Sequence, residues 1–130
     1  MTQQLLDYLL DTYGTEAEHP FVTAPDTAVF RNPTNQKWYA VLLGNLPRKC
    51  LGLSEEGAAD VLNLKCDPIM THSLINNTTI FHAYHMNKEH WISVLLNSGI
   101  TMEELTFLVD MSYRLVNRKP VRKEPGHESL

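Results

Sequence analysis

The chain has no apolar run long enough to cross a bilayer, no Gly-rich phosphate loop, no C-x-x-C pair, no H-E-x-x-H and no internal repeat. Each absence removes a class of function. A membrane-spanning helix needs about 20 consecutive apolar residues. The leucines of the opening stretch MTQQLLDYLLDTYG are interrupted by Asp7 and Asp11, and no positive n-region precedes them, so it reads as neither span nor signal peptide. The expected location is the cytoplasm. The only cysteines, Cys50 and Cys66, stand far apart. In a chain without a secretory signal they are expected to be reduced packing residues.

Cations are also scarce over most of the length. Residues 1–113 carry six Lys/Arg against thirteen Asp/Glu, a balance of −7, and residues 114–130 carry five against two, a balance of +3. The body is acidic and the end is basic. Nucleic-acid affinity comes largely from neutralising phosphates, and a dedicated binding domain often has a pI above about 9. The pI of 5.8 counts against that role in bulk and leaves only local patches to support it.

What remains is the material of one domain. A chain of 130 residues buries roughly two-thirds of its unfolded surface. Leu5, Leu6, Leu9, Leu10 and Tyr13 recur at helical spacing, with Gly14 placed to end the helix. In AVFRNPTNQKWYAVLL two β-prone runs flank a cluster of turn formers, which predicts a hairpin pairing Ala28–Arg31 with Lys37–Leu43. Strict alternation would put Trp38, Ala40 and Leu42 on one face and Tyr39, Val41 and Leu43 on the other. Residues 46–60 read as a loop.

DVLNLKC follows as a strand, Asp67-Pro68 as the cap and first position of a short helix reaching about Asn76, and TIFHAYHM and HWISVLL as two more strands. Thr101 and Glu104 form a T-x-x-E capping box ahead of a stripe of Leu105, Leu108, Val109, Ser112, Leu115 and Val116. That is the last helix. Pro120 and Pro125 stop regular structure, and residues 120–130 read as a flexible basic tail behind a single domain over residues 1–119. The order predicts an α+β fold, an antiparallel sheet with the N- and C-terminal helices packed on one face.

Three candidate chemistries follow from HAYHMNKEHWISVLL. His82, His85 and His90 invite a metal, but His82 and His85 are three apart and point to opposite faces of an extended strand. No metal is expected. Ser93 would need a base, with His82 facing it across a hairpin, yet no nucleophile elbow accompanies it. Catalysis is not expected, and serines and histidines often meet across sheets for hydrogen bonding alone.

The third chemistry pairs cations with aromatics, at Lys37-Trp38-Tyr39 and at Asn87-Lys88-Glu89-His90-Trp91, where lysine could meet phosphate and an exposed ring could stack on a base. The ordinary alternative puts both tryptophans beneath the terminal helices and leaves the lysines as solvated turn residues. Arg114, Arg118, Lys119, Arg122 and Lys123 extend the basic end, in part because cations complement a helix C-terminus.

The strings LKCDP from Leu64, YHMNKEHW from Tyr84 and LVDMSYRLV from Leu108, together with AVFRNPTNQKWYAVLL, resemble the MmcQ/YjbR family in order and spacing from about residue 3 to residue 117. The resemblance implies a CyaY/frataxin-like (YjbR-like) fold and a non-enzymatic, DNA-binding "double wing" role with no cofactor. Carried onto this chain, the motif positions are Lys37 and Trp38, then Asn87, Lys88, His90 and Trp91, then Asp110, Ser112 and Tyr113. With Arg114 and Arg118 added from the basic end, Lys37, Trp38, Asn87, Lys88, His90 and Trp91 are the candidate nucleic-acid contacts. A different class of reading is a protein-interaction or small-ligand domain that works through its sheet face.

Overall fold

The computed structural model describes residues 1–118. Lys119 and the expected basic tail, residues 120–130, lie outside the described residues. Helix α1 (Thr2–Tyr13) is followed by strands β1 (Thr27–Arg31), β2 (Trp38–Pro47) and β3 (Ala58–Lys65), a short helix α2 (Pro68–Leu74), strands β4 (Ile80–His82) and β5 (Trp91–Leu95), and helix α3 (Met102–Asn117). The strands form one antiparallel sheet in the order β1-β2-β3-β5-β4. This is the α+β architecture the sequence predicts.

The helices begin and end where side-chain chemistry allows. Gly14 takes the left-handed conformation (φ 64°) that closes α1, and its amide returns to Leu10 O. Asp67 caps α2 by accepting from the Ile69 amide, with Pro68 at the first position. Both halves of the Thr101–Glu104 capping box form. The apolar faces of α1 and α3, carrying Leu5, Leu9, Leu105, Val109 and Val116, close over Phe30, Ala40, Leu42, Leu62, Leu64, Ile92 and Val94.

Three expectations are corrected. The predicted loop over 46–60 is shorter than expected: β2 runs on to Pro47, β3 starts at Ala58, and a 3-10 helix (Arg48–Leu51) occupies part of the gap. The run TIFHAYHM contributes only Ile80–His82 to the sheet; beyond it the chain turns away, with His85 at φ 62°. The alternation of β2 fails at one residue. Phe30 pairs with Ala40 and Arg31 with Trp38, so Tyr39 is an extra residue, a β-bulge. Tyr39 consequently turns into the helix-side core with Ala40, and Trp38 goes to the opposite face with Val41.

The face away from the helices is not solvated. Val29, Val41, Ala83 and Trp91 pack together there, and beside them Val61, Phe81 and Leu95. The chain's own connections cover it, with Leu51, Leu53 and Met86 lying against these clusters beside Leu46 of β2. Both tryptophans therefore sit on the loop side, not beneath the terminal helices.

Candidate functional site

The pairing registers decide which segments meet. Arg31 lies opposite Trp38, Lys65 opposite Trp91 and His82 opposite Ile92, so the β1–β2 turn, the end of β3 and the β4–β5 connection all emerge at one end of the sheet. The end of α3 joins them. The Asn35 side-chain amide donates to Val116 O (2.8 Å) and the buried Asn32 amide to Asn117 Oδ1 (3.0 Å). Lys37, Lys65, Lys88, Arg114 and Arg118 are thereby gathered from four separate stretches of sequence, together with Arg31, which pairs with Glu18 at 3.1 Å.

At the opposite end lie the β2–β3 connection with Glu55 and Glu56, then Asp60, and the start of α3 with Glu103 and Glu104. Among the described cations only Arg48 and Lys49 lie there. An acidic chain thus carries a basic end. Glu16, Glu18, Asp67 and Glu89 are also at that end, Glu18 engaged by Arg31 and Asp67 as the α2 cap.

The two motif regions build this end. In the β4–β5 connection, the buried Asn63 and Ser93 side chains grip Tyr84 by both backbone groups: the Tyr84 amide donates to Ser93 Oγ (2.9 Å) and Asn63 Nδ2 donates to Tyr84 O (3.0 Å). Lys88 Nζ donates to Ala83 O (2.9 Å) and closes the loop on itself. Asn87 Oδ1 accepts from the amides of Glu89 (2.8 Å) and His90 (3.1 Å), and His90 O accepts from the Cys66 amide (2.7 Å). Trp91 is 8 % exposed, with the Lys65 ammonium 5.5 Å from its ring. It anchors the loop and offers no open stacking face, whereas Lys88 and the His90 ring stay at the surface.

Trp38 is half-buried, its ring 5.7 Å from the Arg31 guanidinium and edge-on to Phe21. The register places Phe81, not His82, across from Ser93, and the Ser93 hydroxyl donates to Asn63 Oδ1, so no serine–histidine pair exists there. Among the described residues no three His, Cys, Asp or Glu side chains assemble as a metal-binding set.

The D-x-S-Y stretch of α3 faces inward. Ser112 stands at the β-bulge, where it donates to Tyr39 O and accepts from the Lys65 amide (2.9 Å), bridging β2 and β3 where their ladder opens. Asp110 accepts from the hydroxyls of Tyr8 (2.8 Å) and Tyr13. Tyr113 stacks on Tyr13 at 3.8 Å and meets Tyr39 edge-on. Burial, then the bond to Asp110 and its charge, push the Tyr13 phenol far above its usual range. Burial likewise raises Tyr39 to about 12, and its hydroxyl has no hydrogen-bond partner among the described residues.

Comparison with known proteins places this arrangement. The YjbR family model matches residues 10–115. The chain belongs to the YjbR family. It is 37 % identical over 113 residues to Uncharacterized protein YyaQ of Bacillus subtilis, covering 87 % of this chain and 95 % of that one. The solved structures agree on the YjbR-type fold. A crystal structure of a Pseudomonas syringae protein matches with TM-score 0.84 and 42 % identity over 88 % of this chain and 97 % of the other. That of Deinococcus radiodurans protein DR2400 matches with TM-score 0.69 and 25 % identity, over 92 % and 80 %.

The sequence offered Lys37, Trp38, Asn87, Lys88, His90, Trp91, Arg114 and Arg118 as contacts. The YjbR fold brings the cations among them to one end and turns Asn87 and Trp91 to building the loop that carries Lys88. It also adds Lys65, and the supporting Asn32, Asn63 and Ser93, none of which the sequence singled out as part of this end. For Lys65, Asn63 and Ser93 the signal in the sequence was a polar residue inside an apolar, β-prone run, and for Asn32 its place in the turn cluster NPTNQ.

Proposed function

We propose that this YjbR-family chain is a non-enzymatic, cytoplasmic nucleic-acid-binding module whose basic end rests on the phosphate backbone of DNA. The observation that carries the reading is the delivery of Lys37, Lys65, Lys88, Arg114 and Arg118 to one end of an otherwise acidic molecule. Each comes from a different element or turn, or from the end of α3, so the register of the sheet rather than local sequence sets the patch. Lys88 spends one N–H on Ala83 and keeps two for a phosphate. The acidic opposite end orients the molecule, since a polyanion is repelled there and attracted here.

With the tryptophans engaged in the fold, recognition runs through phosphate and is sequence-tolerant. Binding to duplex DNA should be in the micromolar range at low ionic strength and weaken steeply with salt, by about 0.9 in the log–log slope per phosphate neutralised. Fluorescence anisotropy with labelled duplex and single-stranded DNA tests this. No association at tens of micromolar protein in low salt would overturn the reading.

A further inference from the structure

We propose that the cleft between α2 and the β4–β5 connection binds a nucleoside monophosphate, either free or as the phosphorylated end of a strand, with the phosphate at His82 and Lys88 and the base against Tyr84 and Leu51. The cleft has a volume of about 510 Å³ and is lined by Pro68, Thr71, His72, His82, Lys88 and Glu89. A second cleft of about 210 Å³ adjoins it, and the two share His82 and Lys88. The larger is of the size that small-molecule sites occupy, roughly 300–1,000 Å³.

Its donors suit a phosphate. Lys88 is held at the junction of the clefts by its bond to Ala83 O, which spares the ligand the cost of ordering a long side chain. His82 stands at the end of β4 and His72 in the last turn of α2, both exposed, and an imidazole donates an N–H to a phosphate oxygen in either charge state. Glu89 is the one carboxylate on these walls, and it provides an acceptor for sugar hydroxyls. The smaller cleft is walled by Cys50, Leu51, Phe81, Ala83 and Tyr84; the Tyr84 ring, with the His85 ring tilted against it at 3.9 Å, leaves its other side for a base, and Asn77 offers a carboxamide to the base edge.

Asn63 and Ser93 hold the Tyr84 backbone in place beneath the smaller cleft. The proposal goes beyond backbone binding: polymer contact needs the distributed cations, whereas this site needs one phosphate and one base.

The test titrates the isotopically labelled full chain with adenosine 5′-monophosphate and follows backbone amides by NMR, with inorganic phosphate and adenosine as separate probes. Saturable shifts should centre on Thr71, His82, Tyr84 and Lys88, with affinity at least about 10-fold above either probe, as expected when two subsites act together. Lys88→Met should weaken binding about 10-fold or more, as loss of a charge-assisted contact does. His72→Ala/His82→Ala, which removes both donors and changes only exposed side chains, should do so without disturbing the fold.

No saturation by about 10 mM nucleotide, shifts confined to another surface, or unchanged affinity in the double histidine variant would overturn the proposal. A preference for 5′-phosphorylated over 5′-hydroxyl oligonucleotides would identify a strand end as the source, and nucleotide binding without that preference a free nucleotide. Nucleotide binding with no polymer binding would sink the backbone reading alone, and polymer binding with no nucleotide binding would sink this one alone.

Discussion

Ser112 has two backbone partners that the bulge leaves without each other, Tyr39 O and the Lys65 amide. Its hydroxyl acts there as a fixed water would. Ser112→Ala should destabilise the fold by about 2 kcal/mol, the cost of leaving buried polar groups unsatisfied. In urea melts this would appear as a lower midpoint with an unchanged slope. The tyrosines make a second prediction. Tyr13 and Tyr39 are both raised above the ordinary 10, by burial first.

A raised phenol binds its proton more tightly in the folded chain, so its stabilisation is fully present below pH 10 and is lost as pH rises toward 12 and beyond. Thermal midpoints should fall above about pH 10. Asp110→Asn should bring Tyr13 back toward its ordinary range, because both the charge and the acceptor that oppose ionisation are weakened; spectrophotometric titration of tyrosinate reads this directly.

At the scale of elements, the β4–β5 connection shows why a motif can identify a family without being its contact surface. Asn87 and Trp91 spend their chemistry on the loop itself, and the buried Asn63 and Ser93 hold it from below. Asn63→Leu should release Tyr84 while leaving the helix-side core intact. Amide hydrogen exchange over residues 83–90 should then accelerate far more than exchange in α1 or α3.

The β2 edge of the first connection is as tightly set. A Cβ at Gly44 would fall 2.8 Å from Asp26 O, so Gly44→Ala must push the 20–27 segment away from the strand. An overpacking cost of about 1–3 kcal/mol is expected in the same urea melts. Hairpin, capped helices and the glycine stop of α1 were legible in the sequence because each is decided within a few residues. The bulge was not: nothing in KWYAVLL announces that Tyr39 is the extra residue, since the partner strand and Ser112 create the opening it fills.

The whole molecule is defined by the separation of its charges. If the basic end binds DNA, Lys37→Ala/Arg118→Ala should weaken binding uniformly across sequences and reduce the log–log salt slope by about 2, one for each lost phosphate contact. Arg48→Ala/Lys49→Ala removes the same charge from the opposite end and should leave the slope near its original value. Equal losses from the two pairs, measured by anisotropy over a salt series, would show that net charge alone governs association.

The sequence by itself determined the class of fold, the two-helix cover and the family, because hydrophobic periodicity, caps and motif strings are properties of neighbours along the chain. Only the tertiary structure decided that the tryptophans lie on the loop side and that Ser112 and Asp110 face inward. It also decided that Lys37, Lys65, Lys88, Arg114 and Arg118 share one end, while Arg48 and Lys49 lie at the other. Those outcomes depend on strand register and on a one-residue bulge, which are set by pairing between segments tens of residues apart.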